Sequence, residues 1–259
     1  MIKIKQPIQF LSKNYFNENA QVDVVGDPIN WQGLVDFKPF IENKILKNNS
    51  RETEFTVWLK DDFAQFVSKE IDTVILQNIN WNTFEIIAVL NDATEAPLFT
   101  AINNGSANIK FTIPNKLMTG KLIFRIHSIN NLDEAIFAGQ VRICKSILKL
   151  QAFTETEINP VVDDGDLRTF DGSLVAWTNY EKWGAKINAR NIQKAQYDLL
   201  KKFIKDDGFI TIIPWYEWEP KDIYECLIKR GNIGTYAVNR WSGLISQSLT
   251  FEAKENAYN

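Results

Sequence analysis

Histidine occurs once in the 259 residues, at His127, and cysteine twice, at Cys144 and Cys226. These scarcities remove a good deal of chemistry. A Ser-His-Asp or Cys-His nucleophile would have to use His127. Zinc sites built from His and Cys run short of ligands. Two cysteines cannot make a disulfide framework, so both are expected as buried, reduced thiols. There is no glycine-rich phosphate loop. No run reaches the roughly 18 apolar residues of a membrane helix, and the opening MIKIKQPIQF lacks the apolar core of a signal peptide. Synthesis in the cytoplasm without membrane insertion is the expectation. A net charge of -3 offers no basic excess to displace counterions from phosphates. Nucleic acid is therefore not an expected partner, and no cofactor, metal or catalytic group is expected.

What the chain does have is aromatic rings, 12% of its residues, with 8 Trp and 17 Phe. Rings suit half-buried pleated surfaces. The first half alternates apolar and polar residues with period two. Phe55, Val57 and Leu59 share one face. So do Ile109, Phe111 and Ile113. Leu122, Phe124 and Ile126 oppose Arg125 and His127. The runs 71–79 and 84–90 are more uniformly apolar, as in central strands covered on both faces. Turn residues separate the runs at 78–82, Asn103-Asn104-Gly105, Pro114-Asn115 and Met118-Thr119-Gly120. Short strands at this spacing predict an all-β sandwich or jelly roll over residues 1–145.

Residues 154–166 carry Glu155, Glu157, Pro160, Asp163, Asp164, Gly165 and Asp166, a composition that reads as a linker. The boundary is set slightly earlier, because Leu148, Leu150 and Ala152 begin a new alternation with Lys149 and Gln151. Residues 146–259 then form the second domain. Residues 173–189 read as a hairpin bent near 180–183. A helix follows over 192–205 with Ile192, Ala195, Leu199 and Phe203 on its apolar face and Asn191 as its N-cap. Strands are predicted at 209–213, 223–229, 235–239 and 244–253. Strands around one helix predict an α+β domain with the helix packed on an antiparallel sheet.

Few constellations carry chemistry. His127 falls on a sheet face beside Arg125. Asp163, Asp164 and Asp166 resemble oxygen ligands for calcium but miss the twelve-residue spacing. Glu217 and Glu219 flank Trp218, the ingredients of a glycosidase cleft. Two residues apart on a strand, however, they point the same way rather than facing each other across a substrate. The segment Pro214–Pro220 contains Trp215, Tyr216 and Trp218. It is either an interface anchor or a loop packed on its own sheet. Trp31, Trp58 and Trp81 are candidates for a sugar-stacking platform, Trp58 and Trp81 above all. Alternation turns Trp58 away from Phe55, Val57 and Leu59.

The stretch Ile71–Leu76, then Phe84–Leu90, then Gly120–Ile126, closed by Gly139–Cys144, resembles the discoidin-like (galactose-binding-like) jelly roll. Residues 168–173 leading a hairpin, a helix and a final strand over 241–252 resemble structural proteins of bacteriophage tails and tail-like particles. The second resemblance implies a non-enzymatic assembly component located in a virion or phage-like particle. Its partners would be other tail proteins and copies of itself in an oligomer or ring. The first implies a carbohydrate-binding module that contacts a surface glycan. A glycoside hydrolase using Glu217 or Glu219 is the remaining alternative.

Overall fold

The computed structural model describes residues 3–4, 8–25, 31–35, 43–44, 53–131, 135–150, 154–158, 161–168, 174–207, 209–213, 223–228 and 237–256. Its contacts divide the chain into two units, one of Asn14–Ser146 and one joining Met1–Lys13 to the chain from Ile147 onward. The first residues therefore leave the contiguous halves that alternation suggests. Ile8–Leu11 is buried along its whole length and pairs antiparallel with Phe209–Ile213. An apolar strand of four residues carries too short a pattern to declare its sheet.

The Asn14–Ser146 unit is a β-sandwich. Five antiparallel strands form one sheet, in the order Gln21–Val24, Thr53–Trp58, Lys121–Ile129, Trp81–Val89, Glu95–Ala101. Three form the other, in the order Gln140–Cys144, Lys69–Gln77, Ile109–Thr119. Inward residues of both sheets make one core: Phe55, Val57, Phe84, Ile86, Leu122, Phe124 and Ile126 meet Val74, Leu76, Val141 and Ile143. The rings of Phe55 and Phe124 stack at 4.6 Å. Each such pair adds about 0.5–1.5 kcal/mol beyond its burial. Residues 71–77 are buried on both faces, and their strand is central in its sheet.

One predicted turn is absent. The strand Ile109–Thr119 runs straight through Pro114-Asn115. Its partners jump from Thr112↔Thr73 to Leu117↔Ile71, which leaves 113–116 outside the ladder. Proline has no N–H to donate, and an irregularity of this kind is where a strand tolerates it.

The second unit is a 10-stranded antiparallel sheet with one helix, mainly β with the helix on the sheet. Its organiser is the 19-residue strand Leu174–Ile192, where a bent hairpin was expected. That strand pairs in succession with Val161–Arg168 and Thr154–Ile158, and also with Ile245–Asn256. The acidic stretch is thus strand rather than linker or calcium loop. A long neighbouring strand satisfies its backbone, and charged residues on such a strand discourage further pairing.

The helix spans Lys194–Asp207. Gln193 closes its start: the Gln193 N–H donates to Gln196 Oε1 at 3.1 Å, and the Tyr197 N–H to the Gln193 carbonyl at 3.0 Å. Asn191 is instead in the left-handed region, φ 61°, at a register shift in the preceding strand. The two-residue displacement rotates the apolar face. Tyr197 and Leu200 enter the core with Ile187, Ile210, Ile212 and Phe251, while Ala195 and Leu199 stay exposed.

Candidate functional site

A concavity of about 510 Å³ opens at one end of the sandwich. There Thr53–Trp58 and Trp81–Val89 end, and Lys69–Gln77 and Lys121–Ile129 begin. Three connections converge on it, and each is held by its own backbone bonds. In the first, an isolated bridge joins Lys60 to Phe66, and Asp61 Oδ1 accepts the N–H groups of Phe63 and Gln65, both at 2.9 Å. Ala64 takes φ 59° inside that turn. In the second, the Leu90 N–H donates to the Thr94 carbonyl at 2.9 Å, and Asp92 Oδ1 accepts from the Thr94 N–H at 3.0 Å. The third is Thr119-Gly120-Lys121. The Thr119 hydroxyl donates to the Val89 carbonyl at 2.7 Å, and the Gly120 carbonyl accepts from the Leu59 N–H at 2.8 Å. A Cβ at Gly120 would lie 3.0 Å from the Val67 carbonyl oxygen, so this turn approaches the first connection closely and a side chain there would press on it.

Trp58 is the main apolar surface in the lining. It lies half-buried, and its Nε1–H donates to Asp23 Oδ2 at 2.7 Å, which fixes the plane of the indole. Phe66, 61% exposed, meets the indole edge-on at 5.8 Å. Lys121 is paired directly across from Trp58, and its ammonium sits 4.6 Å from the ring centroid. Lys60 takes the same position over Phe66, also at 4.6 Å. Val67, Val89 and Leu90 continue the apolar lining, and the Ser68 hydroxyl donates to Asn91 Oδ1 at 3.0 Å. The site is a rigid aromatic floor with an amide, a hydroxyl and an ammonium at its margins. Among the described residues no carboxylate lines it.

The other sequence candidates separate. Trp81 is no stacking surface. It is 0% exposed, set edge-on against Phe55 and Phe84 in the core. Trp81 opens a strand of the five-stranded sheet with its ring turned inward. Trp31 stacks on Phe16 at 6.3 Å and packs against the same core. Trp215, Tyr216, Trp218, Glu217 and Glu219 lie outside the described residues. His127 is exposed, with Nε2 3.4 Å from Glu85 Oε1. Beside it Arg125 contacts Glu54 at 2.6 Å, Glu95 at 3.3 Å and Glu85 at 3.8 Å. Glu54 and Glu85 stand opposite Arg125 on its two flanking strands. The hydrogen bond that Arg125 donates to Glu54 raises the Arg125 pKa. This is a cross-strand ion network. Cys144 and Cys226 are buried and not joined in a disulfide. Among the described residues no His/Cys/Asp/Glu group could hold a metal, and no helix is long and apolar enough to cross a membrane.

Sequence reasoning missed Phe66, Ser68, Asn91 and Lys121. The signal for the first was present: Asp61-Asp62-Phe63-Ala64-Gln65-Phe66 places two rings in a polar turn. A turn that cannot bury its rings has to display them.

No protein-family model and no curated protein matches the chain. Among solved structures, it is similar to chitosan-binding module 1 of a chitosanase/glucanase from Paenibacillus sp. IK-5, at 9% identity and a TM-score of 0.42, covering 50% of this chain and 97% of that one. It is also similar to the family 32 carbohydrate-binding module of Clostridium perfringens NanJ in complex with galactose, at 10% identity and TM-score 0.39, covering 51% and 98%. A third is the family 32 module of Streptococcus pneumoniae EndoD, at 8% identity and TM-score 0.41, covering 51% and 99%. None of these three is a tail protein.

Proposed function

We propose that the protein is a non-catalytic carbohydrate-binding protein that holds a sugar ring in the Trp58–Phe66 cleft. The observation that carries this reading is the indole of Trp58. It is partly exposed, locked in orientation by Asp23, and set in a concavity whose polar groups stand only at the edges. A pyranose has an apolar C–H face and a rim of hydroxyls. The ring face suits the first, and Asn91, Ser68 and Lys121 suit the second. A pre-fixed indole adds area at little entropic cost, because its rotamer is already chosen. The assembly reading of residues 168–253 rests on element order and gains no further observation from the structure.

The test is affinity electrophoresis and glycan-array binding of the whole chain. Trp58→Ala should abolish binding while leaving backbone amide exchange in the sandwich strands unchanged. Retention of binding by Trp58→Ala would move the site elsewhere. Failure to bind any glycan would end the carbohydrate reading.

A further inference from the structure

The cleft has a sign. Among the described residues Lys121 is the one charged residue in its lining, and Lys60 stands over the neighbouring ring at the mouth. Among the described residues neither ammonium has a carboxylate partner. Three carboxylates on the strand and turns around the cleft accept other hydrogen bonds. Asp23 takes the Trp58 Nε1–H on one oxygen and the Gln21 amide, at 3.2 Å, on the other. Asp61 and Asp92 accept backbone N–H groups that build their turns. Asp62 lies on the first turn and is exposed. An ammonium has three donors, and a ring face occupies at most one of them. The cation–π contact holds Lys121 beside the floor of the site while leaving donors for a ligand.

We propose that the cleft selects acidic glycans. A sugar ring would lie at Trp58 and Phe66, and its carboxylate or sulfate group would pair with the Lys121 ammonium. The proposal rests on the carbohydrate reading and adds a direction to it. Neutral sugars bind less tightly, and amino sugars, which carry the same sign as Lys121, bind least. The sheet register pairs Lys121 directly across from Trp58, so its stem starts beside the ring.

The experiment is binding of the whole chain to an array of matched oligosaccharides in four sets: neutral, aminated, carboxylated and sulfated. Titration of the strongest binder against its neutral counterpart follows, for the native chain and for Lys121→Met. The methionine keeps the aliphatic stem over the indole and removes the charge. Acidic sets should dominate, and the acidic ligand should bind about fivefold or more tighter than its neutral counterpart, the size expected of one charge-assisted contact at a partly exposed site. Lys121→Met should remove the preference, so that acidic and neutral ligands bind alike, with the acidic one losing the most. The carboxylated and sulfated sets distinguish the two sources of negative charge. Equal binding of neutral and acidic sets, or an unchanged preference in Lys121→Met, would overturn the acidic selectivity and leave the carbohydrate reading intact. Binding to none of the four sets would overturn both.

Discussion

Trp81 separates the energetics of the core from those of the site, and its substitution gives the sharpest stability prediction. The indole is fully buried, with ring centroids of Phe84, Phe55 and Phe124 at 5.4, 6.0 and 6.4 Å. Truncation to alanine removes these contacts and leaves a cavity, at a cost of about 3–5 kcal/mol. The indole Nε1 is buried without a hydrogen-bond acceptor among the described residues. An orphan buried donor costs about 1–3 kcal/mol. Trp81→Phe removes that donor while giving up part of one ring, a loss of roughly 1–2 kcal/mol by the cavity relation. The two terms nearly cancel. Trp81→Phe should therefore fall within about 1 kcal/mol of the parent, far from Trp81→Ala.

Because the chain has two units, a single unfolding midpoint would mix them. Native-state hydrogen exchange on a peptide covering Lys121–Ile129 reads the sandwich alone, since that strand lies at the centre of the five-stranded sheet. A loss of protection in Trp81→Phe as large as in Trp81→Ala would refute the orphan-donor reasoning. It would mean that the nitrogen is solvated or that ring volume decides everything. Neither variant should alter glycan binding relative to its folded fraction, because Trp81 does not reach the cleft.

Three further outcomes follow from the geometry. Asp23→Ala frees the Trp58 indole without touching its face, so titration should show glycan affinity falling by about three- to tenfold while stability changes little. Gly120→Ala drives a Cβ against the Val67 carbonyl oxygen. It should lower sandwich stability by about 1–3 kcal/mol in the same exchange assay, and a neutral result would show that the 59–68 connection yields freely. Glu70 has its pKa lowered, first by its hydrogen bond with Lys145. Its contribution to stability is thus present above the ordinary value of 4.5 and lost as pH falls through the lower folded value. Lys145→Met should flatten that part of the acid unfolding curve, and an unchanged curve would remove the ion pair from the account.

The sequence made the sandwich legible because one side of each sheet is apolar and the other is not. Leu122, Phe124 and Ile126 against Arg125 and His127 is a pattern with only one burial solution, and the same parity turned Trp58 outward. Parity failed where a strand's partner mattered more than its own residues. Thr154–Ile158 and Val161–Arg168 are acidic in sequence and are strands because Leu174–Ile192 offers them a ladder. The helix face slipped because the cap is Gln193, a poorer cap by composition than Asn191, whose backbone is left-handed and belongs to the end of a strand. The cleft is a harder case. Trp58, Phe66, Asn91 and Lys121 span more than sixty positions of sequence, and no periodicity links them. What joins them is register: Lys121 pairs with both Trp58 and Val89, so one short turn sets the ends of two neighbouring strands level and gathers their following loops. A binding site built this way is a consequence of sheet alignment. Its residue types can be read in advance, but their meeting depends on a pairing that the linear sequence does not express.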